Sequence, residues 1–451
     1  MMATMNDDGQ NGRSLPNGWE WTTIGNIAKI NGRDIAIRDL SDDLPVTFVP
    51  MSAVDAQQGI IAEPQERPLK DVRKGFTPFS DGDVLLAKIT PSMENGKAAI
   101  ARNLKNGRGF GSTEFHVFRP KEVVMAEWVF HFIRQESFRR DAKANFSGTA
   151  GQLRVPSDFL VDYPIPLPPL SEQKRIVNRI EELLSDLDAG MAALERVHTG
   201  LKRYKASIVK SACEGKLLSS ESSENHEDAK QLLQRLGKSA LEDDALPSLP
   251  HGWCWTQLGD LSKHITSGSR GWAQYYSEDG ATFIRAQDIN TDKLVLVDIA
   301  HVNPPRDSAE VLRTRVQKND LLVTITGANV TKTAKVNIDL NEAYISQHVG
   351  LVRPTLPESS DYLYYWIISP AQGRKALEKM AYGAGKPGLN LTNLRELLVA
   401  LPPLDEQRRI VAEVERRLSV VGEVESAVEV GLVRAGRLRQ SVLRSAFEGR
   451  L

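Results

Sequence analysis

The chain has 451 residues, 41% hydrophobic and 25% charged, ordinary globular proportions with apolar material for two or three separate cores. Fifty-seven Lys and Arg against 58 Asp and Glu give a net charge of −1, which excludes a polycation that coats nucleic acid and leaves any nucleic-acid surface local. Cys213 and Cys254 are too few for a disulfide scaffold and lack the spacing of a zinc site, and no run approaches the roughly 18 apolar residues of a membrane span. Residues 1–14 are polar and are expected to form a flexible tail rather than a secretory leader, so a cytoplasmic protein is expected. A first globular part follows over 15–165. Its β-branched runs Val46 to Val49 and Val84 to Ile89, bounded by turns such as Ser80-Asp81-Gly82-Asp83, predict strands, and Ala126 to Arg140 predicts a helix. Residues 166–217 predict one long helix, and 218–248 a polar linker with a short helix over Asp228 to Leu236. A second globular part covers 249–400, with strands at Thr282 to Ile284 and Leu321 to Ile325 and a helix over Ser360 to Lys379, and 401–451 predicts a second long helix. Strands and helices together make each globular part a mixed α/β (α+β) domain.

These elements form a repeat. Leu15-Pro16-Asn17-Gly18-Trp19-Glu20-Trp21-Thr22 returns as Leu249-Pro250-His251-Gly252-Trp253-Cys254-Trp255-Thr256, an offset of 249 − 15 = 234. Leu167-Pro168-Pro169-Leu170 with Glu172-Gln173 returns at Leu401 to Gln407, and Ser211 to Leu217 returns at Ser445 to Leu451, both at the same offset. Arg119-Pro120 matches Arg353-Pro354, and the aromatic row Trp128 to Phe132 matches Tyr362 to Trp366. Elsewhere the halves share little more than hydrophobic pattern, so they are expected to share a fold and not a surface.

Each long helix is stopped upstream by two prolines, offered an N-cap by Ser171 or Asp405, and ended by Gly215 or Gly449 as a left-handed cap. Apolar positions recur at three and four: Ile176, Ile180, Leu183, Leu187, Met191, Leu194, Leu201, Tyr204 and Ile208 in the first, and Ile410, Val414, Leu418, Val421, Val424, Val428, Leu432, Ala435, Leu438 and Val442 in the second. At 1.5 Å per residue each helix would be about 65 to 70 Å long, so much of its stripe needs the other helix as partner. Residues 171–192 carry three basic and five acidic residues and 193–216 six and two; 405–426 carry four and six, and 427–450 five and two. Antiparallel pairing opposes the acidic and basic halves, and this predicts an antiparallel coiled coil with the globular parts related by an approximate two-fold axis. Complementation of each helix dipole explains the same asymmetry without pairing. A molecule of that shape suits a duplex DNA with two half-sites.

Motifs for catalysis are missing. Ala384-Gly385-Lys386-Pro387 has proline where a phosphate-loop helix must start, and Gly107-Arg108-Gly109-Phe110-Gly111 has the wrong spacing for a dinucleotide fold and reads as a turn. Asn303-Pro304-Pro305-Arg306 has arginine where an adenine methyltransferase loop has an aromatic residue, and no glycine-rich cofactor strand accompanies it, so it reads as an ordinary loop. Neither a Gly-x-Ser-x-Gly elbow nor a His-Glu-x-x-His pair occurs. Trp19, Trp21, Trp253 and Trp255 could stack on bases, but their placement at the same points of divergent halves favours anchors that close each domain. His116, His131 and His348 lack ligand spacing and read as structural or surface residues.

The better contact candidates lie in polar loops that differ between the halves. In the first half these are Arg33, Lys88, Thr90, Lys97, Ser147, Thr149, Gln152 and Arg154; in the second, Ser269, Arg270, Arg285, Gln287, Thr326, Asn329, Lys332, Lys386 and Asn390. Lys and Arg neutralise phosphate, and Arg, Gln and Asn carry the forked groups that read base edges. A solvated turn explains any single one equally well.

From Leu15 to Leu451 the chain resembles the specificity subunits of type I restriction-modification enzymes: tandem halves, each ending in Leu-Pro-Pro-Leu-x-Glu-Gln-x-Arg-Ile-Val and a long helix closed by Ala-x-Glu-Gly-x-Leu. The resemblance implies two target recognition domains reading one half-site each, with the helices as a ruler for the spacer. It also implies two methyltransferase subunits carrying S-adenosylmethionine and the adenine N6 chemistry, motor-nuclease subunits using ATP with Mg, and no cofactor or active site on this chain. Glu172, Gln173, Arg175, Glu406, Gln407 and Arg409 would be subunit or domain contacts, although capping and helix solubility also explain them. A coiled-coil scaffold with protein-binding ends stays open as the other class of function.

Overall fold

The computed structural model describes residues 15–32, 40–149, 152–218, 227–268, 270–305, 307–383 and 387–451. In the first globular part the longer strands are β1 (Glu20–Thr23), β2 (Ala28–Ile30), β3 (Pro45–Val49), β4 (Gln65–Pro68), β5 (Thr77–Ser80), β6 (Val84–Ala87), β7 (Ala98–Ile100), β8 (Arg108–Gly111) and β9 (Phe115–Pro120). Helices α1 (Ala126–Ile133), α2 (Glu136–Ala144) and α3 (Ser157–Asp162) follow, then β10 (Pro164–Leu167), the long α4 (Leu170–Cys213) and the short α5 (Ala229–Arg235). The second part runs β11 (Cys254–Gln257), β12 (Ser262–Ser267), β13 (Tyr276–Ser277), β14 (Ala281–Ile284), β15 (Ala300–Val302), β16 (Leu321–Thr324), β17 (Thr333–Lys335), β18 (Ala343–Ile345) and β19 (Val349–Pro354). It ends with α6 (Ser360–Ile368), α7 (Gly373–Met380), α8 (Leu391–Arg395), β20 (Leu398–Leu401) and the long α9 (Leu404–Phe447).

The chain divides into two units, one from Met1–Glu195 and Glu429–Leu451, the other from Arg196–Val428. Each unit therefore takes half of both long helices, which cuts across the expected division into globular parts and helices. In the first unit, one sheet has the order β2-β9-β6-β7, a second β4-β3-β8-β5, and β1 pairs antiparallel with β10. In the second, the sheets are β12-β19-β16-β17 and β13-β15-β14-β18, and β11 pairs with β20. The offset survives in register: Glu20 faces Leu167, and Cys254 faces Leu401.

The aromatic row closes each domain. Trp128 is fully buried and its Nε1 donates to Pro166 O at 3.0 Å; Tyr362, its counterpart, donates its hydroxyl to Ala400 O at 2.6 Å. Trp19 meets Trp128 edge-on and Trp253 meets Tyr362 in the same way. These anchors match expectation. Trp21 departs from it, lying 49% exposed beside the exposed Glu20 on the pair β1–β10. Two further corrections concern elements. Each predicted mid-domain helix is two helices, broken at Arg134-Gln135 and at Ser369-Pro370. Only Gly107 of the Gly107 to Gly111 run lies in a turn; Arg108 to Gly111 form strand β8, where Gly109 lies under Phe79, whose ring would stand 2.1 Å from a Cβ there.

The linker carries the expected short helix, α5. Asp228 caps α5 with a capping box, and Leu232 and Leu233 are buried in the second unit's core. Residues 1–14 and 219–226 lie outside the described residues.

Both long helices begin alike. Gln173 folds back over the Pro-Pro turn and donates to Pro168 O at 2.8 Å, as Gln407 donates to Pro402 O at 2.9 Å. Both end in the predicted left-handed glycine, Gly215 at φ +67° and Gly449 at φ +68°. The first unit's core joins Ile176 and Ile180 to Leu443 and Phe447; the second joins Ile410 and Val414 to Ile208 and Cys213.

Pairing is antiparallel in each unit. In the first, Arg439 forms an ion pair with Asp188, and Arg175 donates to Leu451 O at 2.7 Å; in the second, Lys205 pairs with Glu425. A base from the second half of one helix thus meets an acid from the first half of the other, as the charge asymmetry predicts. Ile176, Ile180, Ile208, Ile410, Val414, Val421 and Val428 are buried, and Leu183, Leu187, Leu194, Leu201, Leu418 and Val442 are half-buried. Leu438 is a correction: it is 51% exposed, because the inward place beside it is held by Arg439. Val424 and Tyr204 turn outward too, next to Glu425 and Lys205.

Candidate nucleic-acid interface

In the first unit, β6 runs out into Lys88, whose backbone is fixed on both sides: its N–H donates to Glu114 O at 2.9 Å, and its carbonyl accepts from Val155 N at 3.0 Å. Ser147 and Arg154 exchange two backbone hydrogen bonds of 2.9 Å, closing the 147–154 loop, and Ile89 bridges to Arg154. The Arg154 guanidinium grips Glu114 through both carboxylate oxygens at 2.8 and 2.9 Å and holds that carboxyl below its usual range. Thr90 donates to Glu94 at 2.5 Å, and Gln152 N to Thr149 O at 2.9 Å. Lys88, Thr90, Ser147, Thr149, Gln152 and Arg154 are thereby gathered at one sheet end. Lys97, on the same hairpin, donates to Met51 O at 2.9 Å.

The second unit repeats this backbone with other side chains. Ile325 N donates to His348 O at 2.9 Å, and Ile325 O accepts from Leu389 N at 2.8 Å, so Ile325 stands where Lys88 stands. Tyr382 and Gly388 exchange backbone hydrogen bonds of 2.9 and 3.0 Å, and Thr326 bridges to Gly388. Gly388 replaces Arg154, and the exposed His348, beside Gln347 at 3.1 Å, replaces Glu114. Lys332 matches Lys97: each carbonyl accepts from the neighbouring strand, from Thr324 N and Ala87 N. Asn329 reaches toward the Ala286–Asp288 turn, where Gln287 is exposed.

Several expected contacts have local tasks instead. Arg285 closes on its own turn through Asp288, at 3.0 and 3.1 Å. Asn390 is the N-cap of α8, accepting from Asn393 N at 2.8 Å. Arg270 is exposed; Arg33, Ser269 and Lys386 lie outside the described residues. Among the subunit-contact candidates, Gln173 and Gln407 are contacts within the chain and not subunit contacts, since both are fully buried and bonded to its own backbone. Glu406 accepts from Trp253 Nε1 at 2.9 Å, and burial pushes its carboxyl up. Glu172 pairs with Arg175, and Arg409 is exposed. Glu114, Gln347 and Tyr382 escape the sequence reading and His348 reads there as a structural or surface residue, although the offset of 234 places Glu114 on His348 and Arg154 on Gly388. Among the described residues, no His, Cys, Asp and Glu group could hold a metal ion, and no helix is long and apolar enough to cross a membrane.

Comparison with known proteins agrees with this architecture. The type I restriction modification DNA specificity domain family matches residues 16–196 and 258–417. The type I restriction enzyme EcoAI specificity subunit of Escherichia coli is 27% identical over 92% of this chain and 80% of its own length. Among solved structures, a chain from a study of complex assembly and conformational transition of the type I R-M system superposes with a TM-score of 0.75 at 23% identity, covering 97% of this chain and all of that one. The HsdS subunit from Thermoanaerobacter tengcongensis gives 0.57 at 22%, covering 98% of this chain and all of its own. These two likenesses concern the fold. The family match spans most of both halves, and the chain belongs to the type I restriction modification DNA specificity family, the family of the specificity subunits.

Proposed function

We propose that this chain is the non-catalytic recognition subunit of a type I restriction-modification complex, with each target recognition domain reading one half of a bipartite, asymmetric duplex site. The paired helices α4 and α9 set the unspecified spacer between the half-sites. What supports this is like backbone carrying unlike side chains: Arg154 on Glu114 in one domain, Gly388 beside His348 in the other, with Lys97 and Lys332 in the same register. A lysine shared by both domains suits the uniform phosphate backbone, and the unlike neighbours suit different base edges. A scaffold binding protein at both ends needs no such division.

The reading assigns the chemistry elsewhere. Two methyltransferase subunits would bring S-adenosylmethionine and transfer methyl to adenine N6, motor-nuclease subunits would bring ATP with Mg, and this chain would bind neither cofactor. The exposed Arg175 and Arg409 are the remaining candidate subunit contacts, and the compartment is the cytoplasm, where the DNA lies. A genome-wide map of N6-methyladenine with and without this gene tests the whole reading. Loss of one motif with two half-sites and a fixed spacer is expected. An unchanged map with the folded chain and its methyltransferase present would sink it.

A further inference from the structure

We propose that a cavity of about 260 Å³ in the first unit, between α1, α2 and the paired α4 and α9, is a binding site for a small phosphate-class anion. Among the described residues, three that line it are arginines, Arg134, Arg139 and Arg439, and none is acidic. His131 lines it as well, 95% buried, with no hydrogen-bond partner among the described residues. The Nε of Arg139 is buried and unbonded too. A buried guanidinium N–H without an acceptor, in a cavity lined by arginines, is a group that an anion would satisfy.

The site is built rather than incidental. Arg134 has no carboxylate partner; it is held by the carbonyls of Ala56, Gln57 and Gln58 at 2.6 to 3.2 Å. Gly59, at φ +72°, permits that seat, since a Cβ there would lie 2.0 Å from Arg134 Nη1. Gly96, at φ +77°, lies against Arg139, whose Nη1 would stand 3.1 Å from a Cβ there, and Arg139 Nη1 donates to Glu94 O at 3.0 Å. Burial first, and then the neighbouring Arg439 and Arg139, push the Arg134 guanidinium down to about 10. Asp188 is engaged with Arg439, and Asp55 accepts the backbone N–H groups of Gln57 and Gln58. The second unit offers no equivalent, because Tyr365, Ile368 and Gly373 stand at the offset positions of His131, Arg134 and Arg139. Its own cavity of about 410 Å³ is lined by Asp292, Asp361 and Glu415 with two lysines.

The cavity is too small for a duplex, so the ligand is a free phosphate or a small phosphorylated molecule. The test is calorimetric titration of the full-length chain with inorganic phosphate and with pyrophosphate, at ionic strength held constant with sodium chloride. One saturable site is expected. Arg139→Gln and Arg439→Gln should each weaken it at least about tenfold, as loss of a charged hydrogen bond does. Arg139→Lys, which keeps the charge, should retain most of the binding and guards against misfolding of the glutamine variant. Arg140→Gln, on the exposed side of α2, should leave it unchanged. Absence of saturable binding, equal binding by Arg139→Gln and wild type, or equal loss in Arg140→Gln would each overturn the proposal. A short duplex supplies the remaining arm: if duplex displaces phosphate and Arg139→Gln weakens duplex equally, the arginines belong to a DNA surface and the small-anion site is refuted.

Discussion

The two units answer the same packing problem with the same backbone and different interiors. Arg119 grips the buried Asp83 and Arg353 the buried Asp320, each through both carboxylate oxygens at 2.7 to 2.9 Å. The β1–β10 and β11–β20 pairs keep one register. The second sheets diverge. Both contain a three-stranded core with one parallel pair, β3–β8 or β14–β18, but the fourth strand is β5 beside β8 in the first unit and β13 beside β15 in the second. Positions that hold the helices to the domain are constrained by burial, whereas a sheet edge accepts a strand from either side at little cost to the core. Divergence is therefore tolerated at these sheet edges, which is where the proposed reading needs two unlike surfaces.

The most direct way to test that shared frame is to break it in each unit. Arg353→Ala leaves Asp320 buried without its partner, and losing one member of a buried pair costs about 3 to 5 kcal/mol. Arg119→Ala should cost less, because the Arg119 side chain is 31% exposed against 15% for Arg353, and solvent screens the loss. Denaturant unfolding of the full-length chain, with hydrogen exchange to locate the weakened unit, checks both values. Equal losses would mean that exposure does not govern the pair.

Buried histidines set the units apart. Burial pushes the imidazole of His116 down to about 4 and that of His131 to about 3, and the second unit has Gly350 and Tyr365 at the offset positions. Geometry agrees for His116, whose Nε2–H donates to Val155 O at 2.8 Å while Nδ1 accepts from Asn31 at 2.9 Å, an arrangement closed to an imidazolium. The unfolded chain, titrating near 6.5, binds more protons than the native one, so stability is present above that pH and is lost as pH falls toward 4. At pH 5.5 each imidazole should have withdrawn about 1.4 kcal/mol from the first unit alone. Hydrogen exchange at several pH values, corrected for intrinsic rates, should show protection falling in the first unit before the second; His131→Phe should remove about half of the difference. Parallel loss in both units would refute this origin.

Much of this comparison is legible in the amino-acid order alone. Proline pairs, capping glycines and the offset of 234 mark the helix limits and the repeat, because those features act locally on the chain. Charge blocks indicate the antiparallel sense. Surface loops are harder: Arg285 and Asn390 look like base readers in a sequence, yet one clamps Asp288 and the other caps α8. Gln173 and Gln407 look like a docking motif and are buried fasteners of a Pro-Pro turn. What distinguishes a contact residue from a fastener is which backbone group lies opposite, and that depends on distant segments.

On DNA the sharper comparison is Lys97 against Lys332. Lys97 already donates to Met51 O, and Lys332 has no side-chain partner among the described residues. Lys332→Ala should lower the salt slope of binding by about 1, one phosphate contact, and Lys97→Ala by less. Binding of the complex to its methylation site across a salt series measures it, and identical slopes would place neither lysine on phosphate.

The smallest effect expected lies in the helix pair. Lys205–Glu425 and Arg439–Asp188 occupy equivalent places, the bases being 234 residues apart, but their surroundings differ. Partly exposed pairs of this kind contribute about 0.2 to 1 kcal/mol. The Arg439 side chain is 13% exposed and Lys205 is 38%, and a planar guanidinium loses less freedom per hydrogen bond than a flexible ammonium. Double-mutant cycles with Met at the bases and Asn or Gln at the acids should therefore give the larger coupling for Arg439–Asp188, falling less in 1 M salt. A larger coupling for Lys205–Glu425 would mean that burial of the acid, Glu425 at 19% exposure against Asp188 at 45%, outweighs burial of the base.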